Sequence, residues 1–498
     1  MDNIITSQDQ WEGFGAASAE DVQLLMKALE ANETVTDVKD LQGAGALQVQ
    51  SLESTLVMLT HQEKHLTLWR DIPKDAARST LEEYSVQFGH GQNDSGWVEQ
   101  MENPIEADAM LAREFSFIKF QRQMWKFSDV SGMVQTISPV ETLQKQSASL
   151  RALRAINRAL YSGNSDYFGQ SIDGFEKTIR GNGSADHVID LRGAAPTQQH
   201  FRLAAELITA NFGNVEGCGL YLSPGAQSTI DQIMETAGTQ RFLQNQLPGD
   251  GGLSMGFGIR RIFTSFGSIV PKVDIFLAGE YESRGVPKTP DSTNPKTLIE
   301  GKTSVQAPDT PAVVVTTQAG PVAGSKWAAT GMRPAAATYR YRVAAGNRFG
   351  LSAACAAADA GADVVAGGSN TLAITKAGTG NAPTYYEIYS EAVEGDGKYL
   401  FIGRIKDTAG AASFVDKNEA IPGTTRMFLL DLTSVGEMRT FQLKRLGAMH
   451  SQEFARIGSY RWGTVNLYAT PQYYAPLRFV MFENMPVSLQ SASKFLNI

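Results

Sequence analysis

The sequence predicts an α+β protein interrupted near its C-terminal side by an all-β module, on three observations. Residues 302–425 hold short apolar runs of period two between turns rich in Gly, Asn and Ala. Residues 138–161 form a long apolar-striped helix with a start signal and a stop signal. Residues 197–280 give helix, strand, helix, the order of a compact α/β unit.

At 498 residues the chain exceeds one typical core, so two or three compact units are expected. Hydrophobic residues make up 42% and charged residues 19%, which fits a folded protein throughout. Residues 1–45 are acidic and polar, with a short amphipathic helix at 20–32, and the stretch to about residue 55 reads as an arm ordered by partners. A chain that keeps Met1 is expected to retain that arm. MDNIITSQDQWEGFG lacks the basic start and apolar centre of a secretory signal. No apolar run approaches the roughly 20 residues that span a bilayer, so a soluble chain is expected.

Residues 75–127 read as one long β-hairpin. Tyr84, Val86 and Phe88 alternate on the way out, and GHGQNDSG (89–96) makes a polar tip. On the return, Phe115 and Phe117 share one face while Ile118, Phe120 and Met124 line the other. A two-stranded ribbon is marginal in water, so it needs neighbours. Next, Ser138-Pro139-Val140-Glu141 reads as a capping box with proline at the first helical position. Leu143, Leu150, Leu153, Ile156 and Leu160 give the stripe, and Gly163 the stop. Such a helix is about 35 Å long and can act as a spine.

A helix over 197–212 leads into the strand GLYLS (219–223), and Ser223-Pro224 caps a further helix. VDIFLAG (273–279) reads as a strand. In the module, Tyr339, Tyr341 and Val343 alternate with Arg340 and Arg342; TLAIT (371–375), YYEIYS (385–390) and YLFIGRI (399–405) follow. These runs suggest an immunoglobulin-like or fibronectin-like sandwich, whose ends lie close enough for insertion into a host fold. MFLLDLT (427–433), GTVNLYA (463–469) and APLRFVMFE (475–483) supply late strands.

This order of elements resembles the major capsid proteins of tailed double-stranded DNA bacteriophages, the Hong Kong 97-like fold. The resemblance covers nearly the whole chain and rests on element order, without a short diagnostic motif. It implies an N-terminal arm (1–55), an E-loop hairpin (75–127), a peripheral domain (128–195) with spine helix 138–161, and an axial domain (196–301). After the insertion (302–425) it implies an axial return (426–470) and a peripheral C-terminal strand (471–498), with 463–483 as the returning strand. The implied function is structural: copies build hexamers and pentamers of an icosahedral shell around DNA held non-specifically, with the sandwich outward. Scaffolding, portal and cement proteins are the further partners implied. The virion is the implied location and the bacterial cytoplasm the place of assembly.

Catalytic and cofactor signals fail one by one. His61 and His65 are four apart, but Gln62 stands where a zincin needs glutamate. His90, His187, His200 and His450 are scattered. Gly256-Phe257-Gly258 has no third glycine or phosphate-loop lysine, and Tyr221 replaces the glycine that a nucleophile elbow needs before Ser223. Glu82 and Glu83 point to opposite faces of one strand. No enzyme activity, cofactor or metal is expected. Cys218 and Cys355 fall in different units and read as reduced. The net charge of −8 gives no reason for tight nucleic-acid binding.

The residues expected to touch other subunits are Tyr84, Val86, Phe88, Trp97, Phe115, Phe117, Phe120 and Trp125; for Trp125, burial inside the chain is the other reading. Arg151, Arg154 and Arg158 form a basic stripe that faces DNA, a neighbour's carboxylates or solvent. Tyr385, Tyr386 and Tyr389 read as sandwich core or as a carbohydrate surface. A tail subunit, an encapsulin-like compartment and a secreted glycan-active enzyme are the rival functions.

Overall fold

The computed structural model describes residues 62–487, apart from 92–96, 98, 102–107, 135–138, 183–184, 237–258, 295–296, 409–411, 434–438 and 457. The expected arm, the 20–32 helix, His61, Ser138 and Gly256–Gly258 lie outside the described residues. Strands β1 (Lys74–Ala76), β2 (Leu81–Gly89), β3 (Met110–Phe117) and β4 (Lys119–Ser128) precede the spine helix, Val140–Ser162. After it come β5 (Val188–Asp190), β6 (Gly219–Leu222), β7 (Ile262–Thr264), β8 (Gly267–Val273), β9 (Lys288–Pro290) and β10 (Leu298–Glu300). The module carries β11 (Ala312–Gln318), β12 (Tyr341–Asn347), β13 (Gly350–Leu351), β14 (Ser369–Thr375), β15 (Tyr385–Glu391), β16 (Tyr399–Lys406) and β17 (Ala412–Asp416). The chain closes with β18 (Thr425–Leu430), β19 (Phe441–Arg445), β20 (His450–Glu453), β21 (Tyr460–Tyr473) and β22 (Phe479–Met485).

The spine helix matches its sequence signals, with one correction. Pro139 is the N-cap, not the first helical residue, and makes no side-chain cap. Its stop is steric. A Cβ on Gly163 would lie 2.3 Å from the Ala159 carbonyl oxygen and 2.4 Å from that of Ile172, so only glycine lets the chain turn there. Leu153, Ile156, Leu160 and Tyr161 pack between two sheets, against Phe441, Leu443 and Leu467 on one side and Phe428, Phe479 and Met481 on the other.

The first of those sheets runs β1-β19-β21-β20, with β4 paired along β21 from Ser128↔Tyr460 to Lys119↔Ala469. The expected hairpin is therefore shorter than 75–127. Only β2 and β3 pair with each other, and β4 leaves to join this sheet. Its odd-numbered side chains turn toward the spine helix, where Gln121 Nε2 donates to the Ala152 carbonyl at 2.9 Å. Trp125 is 1% exposed, stacked at 6.0 Å on Phe127, with its Nε1 donating to Ser451 Oγ at 3.1 Å. Trp125 thus belongs to the interior and not to the outer surface. Gly463 makes room for that ring: a Cβ there would sit 2.5 Å from the indole and 2.3 Å from the Gln452 carbonyl oxygen. Gly463→Ala should accordingly cost about 1–3 kcal/mol of stability by overpacking, read as a lower midpoint in thermal unfolding.

The second sheet runs β5-β22-β18-β6-β8-β7. Helix Gln198–Ala210 packs on the side away from the spine, through Phe201, Ala204 and Ile208. Every described residue of β6 and β22 is buried, as continuous apolar runs covered on both faces must be. Ser223 caps the next helix as expected, accepting from the Ala226 N–H at 3.1 Å. Two expectations fail here. VDIFLAG is helical: Asp274 accepts from the Phe276 N–H at 2.9 Å, and Ile275–Leu277 runs into a wide helical turn over Ala278–Glu282. The single returning strand at 463–483 is also divided, since β21 stays in the first sheet and β22 crosses to the second.

The module folds as two antiparallel sheets, β11-β14-β17 and β13-β12-β15-β16, closed over one core. Tyr339, Tyr341 and Val343 all point into it. Tyr386 is core as well, and Tyr389 is buried against Val286 and Ala344, so neither forms part of a carbohydrate surface. The body covers the outer side of the four-stranded sheet through buried ions. Arg284 bonds Glu280 at 2.5 Å and also Glu387, and Arg404 Nε donates to Glu387 at 2.9 Å. Arg158 on the spine reaches Glu280 at 2.6 Å. Burial alone would raise the Glu387 pKa, but Arg284 and Arg404 outweigh it and hold the carboxyl at about 2.

A second clamp joins Asp190 to Lys326 at 2.6 Å and Arg192 to the carbonyls of Asn418 and Lys326. Arg192, Asn418 and Asn484 have left-handed backbones there, with φ of 53°, 60° and 53°. Non-glycine residues hold that conformation only where surrounding contacts over-determine it.

Candidate subunit interface

The β2–β3 ribbon is registered from Leu81↔Phe117 to Gly89↔Met110, with an irregularity at 87–89. At its root Tyr84 donates to Glu114 Oε2 at 2.7 Å and packs edge-on to Tyr474 at 5.0 Å. Burial and Glu114 push that phenol well above its ordinary pKa. Tyr84 and Val86 are therefore half-covered by this chain itself. The rest of the ribbon is bare: Phe88, Leu111, Phe115 and Phe117 are all more than half exposed, and Trp97 is 95% exposed. Phe115 and Phe117 make an edge-to-face pair at 5.6 Å on a surface that nothing else among the described residues covers. Full burial of each such ring is worth about 1.5–3 kcal/mol.

A second apolar strip lies on the outward side of β4. Phe120 and Met124 are 54% and 51% exposed, Phe120 packs on Tyr468 at 5.1 Å, and the Lys126 ammonium sits 3.7 Å from the centre of the Tyr460 ring. Lys126 keeps its charge at the surface while its stem covers the ring.

The three spine arginines do not act as one stripe. Arg158 is taken by Glu280. Arg151 donates to the Met124 carbonyl at 2.9 Å, blunting the open edge of β4. Arg154 is half-buried, and burial together with Arg158 and Arg151 lowers its pKa. Among the described residues no carboxylate bonds it. The ion clamps around Glu280 and Glu387 were invisible in the sequence. The one local sign was a glutamate at 387 on the same strand face as Tyr385 and Tyr389.

No family model matches the chain. A protein named major capsid protein from Staphylococcus phage K is 25% identical over 461 residues, covering 89% of this chain and 90% of the relative. A putative major capsid protein from Enterococcus phage phiEF24C is 24% identical over 414 residues, covering 78% and 80%. This chain is a homologue of phage major capsid proteins. Among solved structures, a capsid protein of a native GTA particle aligns with 91% of this chain and 100% of its own, at a TM-score of 0.45 and 8% identity. The capsid protein of Cyanophage P-SCSP1u aligns over 89% and 94%, at 0.41 and 9%. The order of hairpin, spine helix, layered α/β sheet and returning strands is the α+β order that the sequence led us to expect.

Proposed function

We propose that this chain is the repeating, non-enzymatic subunit of a tailed-phage head, assembling in the bacterial cytoplasm into hexamers and pentamers of an icosahedral shell around double-stranded DNA. The bare aromatic ribbon carries the proposal, because a two-stranded hairpin with uncovered phenylalanines is stable only when other copies bury it. Phe88, Phe115 and Phe117, with Trp97 at the tip and Phe120 on β4, lie across adjacent subunits, while Tyr84 and Val86 fix the root. Arg154 meets a carboxylate of a neighbour. Each contact needs only moderate strength, since closed symmetry repeats it many times. The net charge of −8 suits an inner wall that must release DNA rather than grip it. Scaffolding, portal and cement proteins are the further partners. The relatives' names favour a phage head over an enzyme-holding compartment or a tail subunit.

In the same reading the 302–425 module is an immunoglobulin-like or fibronectin-like domain projecting from the outer surface. Its β12-β15-β16 order is that of strands C, F and G in such sandwiches, although β17 pairs where an earlier strand would stand.

The double variant Phe115→Ser, Phe117→Ser tests the shell. The chain should keep its melting temperature and fail to form particles in electron micrographs. Particles at the unsubstituted yield would overturn the proposal.

A further inference from the structure

We infer that a groove between β4, the spine helix and the sandwich receives residues 20–32 of a second copy's arm; this rests on the shell-subunit reading above. Lys119 and Arg122 of β4 form one rim, and the Arg348-Phe349 turn between β12 and β13 forms the other. The floor is apolar, with Ile156 of the spine, Leu467 of β21, and Phe168 and Ile172 from the loop after the spine. The space measures about 810 Å³, within the range of well-formed binding clefts.

Charge identifies the occupant. Lys119 donates to the Gly169 carbonyl at 2.6 Å, the Arg122 guanidinium lies 5.7 Å from the centre of the Tyr468 ring, and that of Arg348 lies 4.5 Å from the centre of the Phe349 ring. Among the described residues no carboxylate pairs with any of the three, and none lines the groove. The acids of the chain are unevenly placed. Residues 1–61 hold ten Asp and Glu against two Lys, which accounts for the whole net charge of −8, while residues 62–498 hold 42 of each sign. The arm is thus the acidic part of the protein, and opposite potentials bring such partners together. Within it, Val22, Leu25, Met26 and Leu29 recur at i, i+3, i+4 and i+7, with Glu20, Asp21 and Glu30 beside them. An acidic amphipathic helix lays its apolar face on such a floor while its carboxylates reach the rims. DNA would meet the cations and leave the floor wet.

The side of entry points to a neighbour. The chain reaches its body through the helical turn Thr67–Asp71, where the Trp69 N–H donates to Asn157 Oδ1 at 3.0 Å. Ala155 and Ala159 line the groove, and at 3.6 residues per turn Asn157 and Tyr161 stand on the other side of the spine. The described chain therefore begins on the side of the spine away from its own groove. The sandwich acquires a task in this arrangement. Its turn supplies Arg348 and Phe349, so the inserted module closes one wall of a contact between copies.

The test treats shells of the full chain, assembled from mixed light and nitrogen-15 subunits, with a carbodiimide that joins a lysine amine to a touching carboxylate. Mass spectrometry of the digest should find Lys119 linked to Glu20, Asp21 or Glu30, with light-to-heavy pairs among the linked peptides. Arg348→Glu sets a like charge in the groove, on an exposed turn, and should lower the yield of that link by about tenfold. An undiminished yield in that variant would overturn the part given to the sandwich. Lys119 that takes an acetylating reagent in shells yet links to nothing would show an empty groove and overturn the inference. Links to any other carboxylate, or only within one copy, would overturn it equally. All of these outcomes leave the shell reading standing. Failure of the unsubstituted chain to form particles overturns that reading, and this inference with it.

Discussion

Arg284→Met will loosen the sandwich from the body and cost about 3–5 kcal/mol, because it leaves Glu280 and Glu387 buried with only one of the two guanidiniums that bridge them. Glu387 has no exposed side-chain surface, so water cannot replace the guanidinium. Arg404 still reaches it at 2.9 Å, which sets the lower end of the range. The effect also has a pH signature. Holding Glu387 at about 2, against an ordinary glutamate value of 4.5, corresponds to about 3 kcal/mol. A lowered carboxyl pKa gives stability that is fully present above the unfolded value and lost as pH falls through the folded one. The unsubstituted chain should hold its midpoint down to about pH 4.5 and lose it steeply toward pH 2. The variant starts lower and should fall less across that window. Calorimetry at pH 7 and pH 3 measures both, and parallel pH profiles for the two proteins would refute the clamp.

Asp416→Ala should unfold the sandwich ahead of the rest. Arg333 is 2% exposed, lies 4.7 Å from the ring centre of Trp327 and 4.5 Å from that of Tyr339, and bonds Asp416 at 2.8 Å and Ser390 at 2.6 Å. Removing the carboxylate strands a guanidinium in a core, at about 3–5 kcal/mol. The double change Asp416→Ala, Arg333→Met removes the stranded charge and should recover part of that loss. Limited proteolysis would place the new cleavages within 302–425 and leave the spine intact. If the single variant were no less stable than the double, the buried charge would not be the cause.

How far the sequence reached depended on whether a signal was local. The spine came within two residues at its start and one at its end, because stripe and glycine stop act within a turn or two. Ser223-Pro224 was legible for the same reason. The return strand was not. Alternation in 119–128 shows a strand with two unlike faces, and β21 as its partner lies more than 330 residues on. VDIFLAG misled because a short apolar run buried on every side has no period to read. Phe276, Leu277 and Ala278 are all interior, so strand and helix looked alike. The exposure of Phe115 and Phe117 was legible and the burial of Trp125 was not, since nothing local reveals the Gly463 gap that receives its indole.

By itself the sequence determined the class of the protein, its order of elements and the place of its all-β module, because caps, periods and spacings are short-range chemistry. Tertiary structure alone decided where each strand pairs, which aromatics stay outside, and how the sandwich is fastened by Glu280, Arg284, Glu387 and Arg404. Those outcomes depend on groups far apart in the chain, such as Arg284 and Glu387, meeting in a medium without water. There, the energy of a contact depends on its partner rather than on its neighbours in the chain.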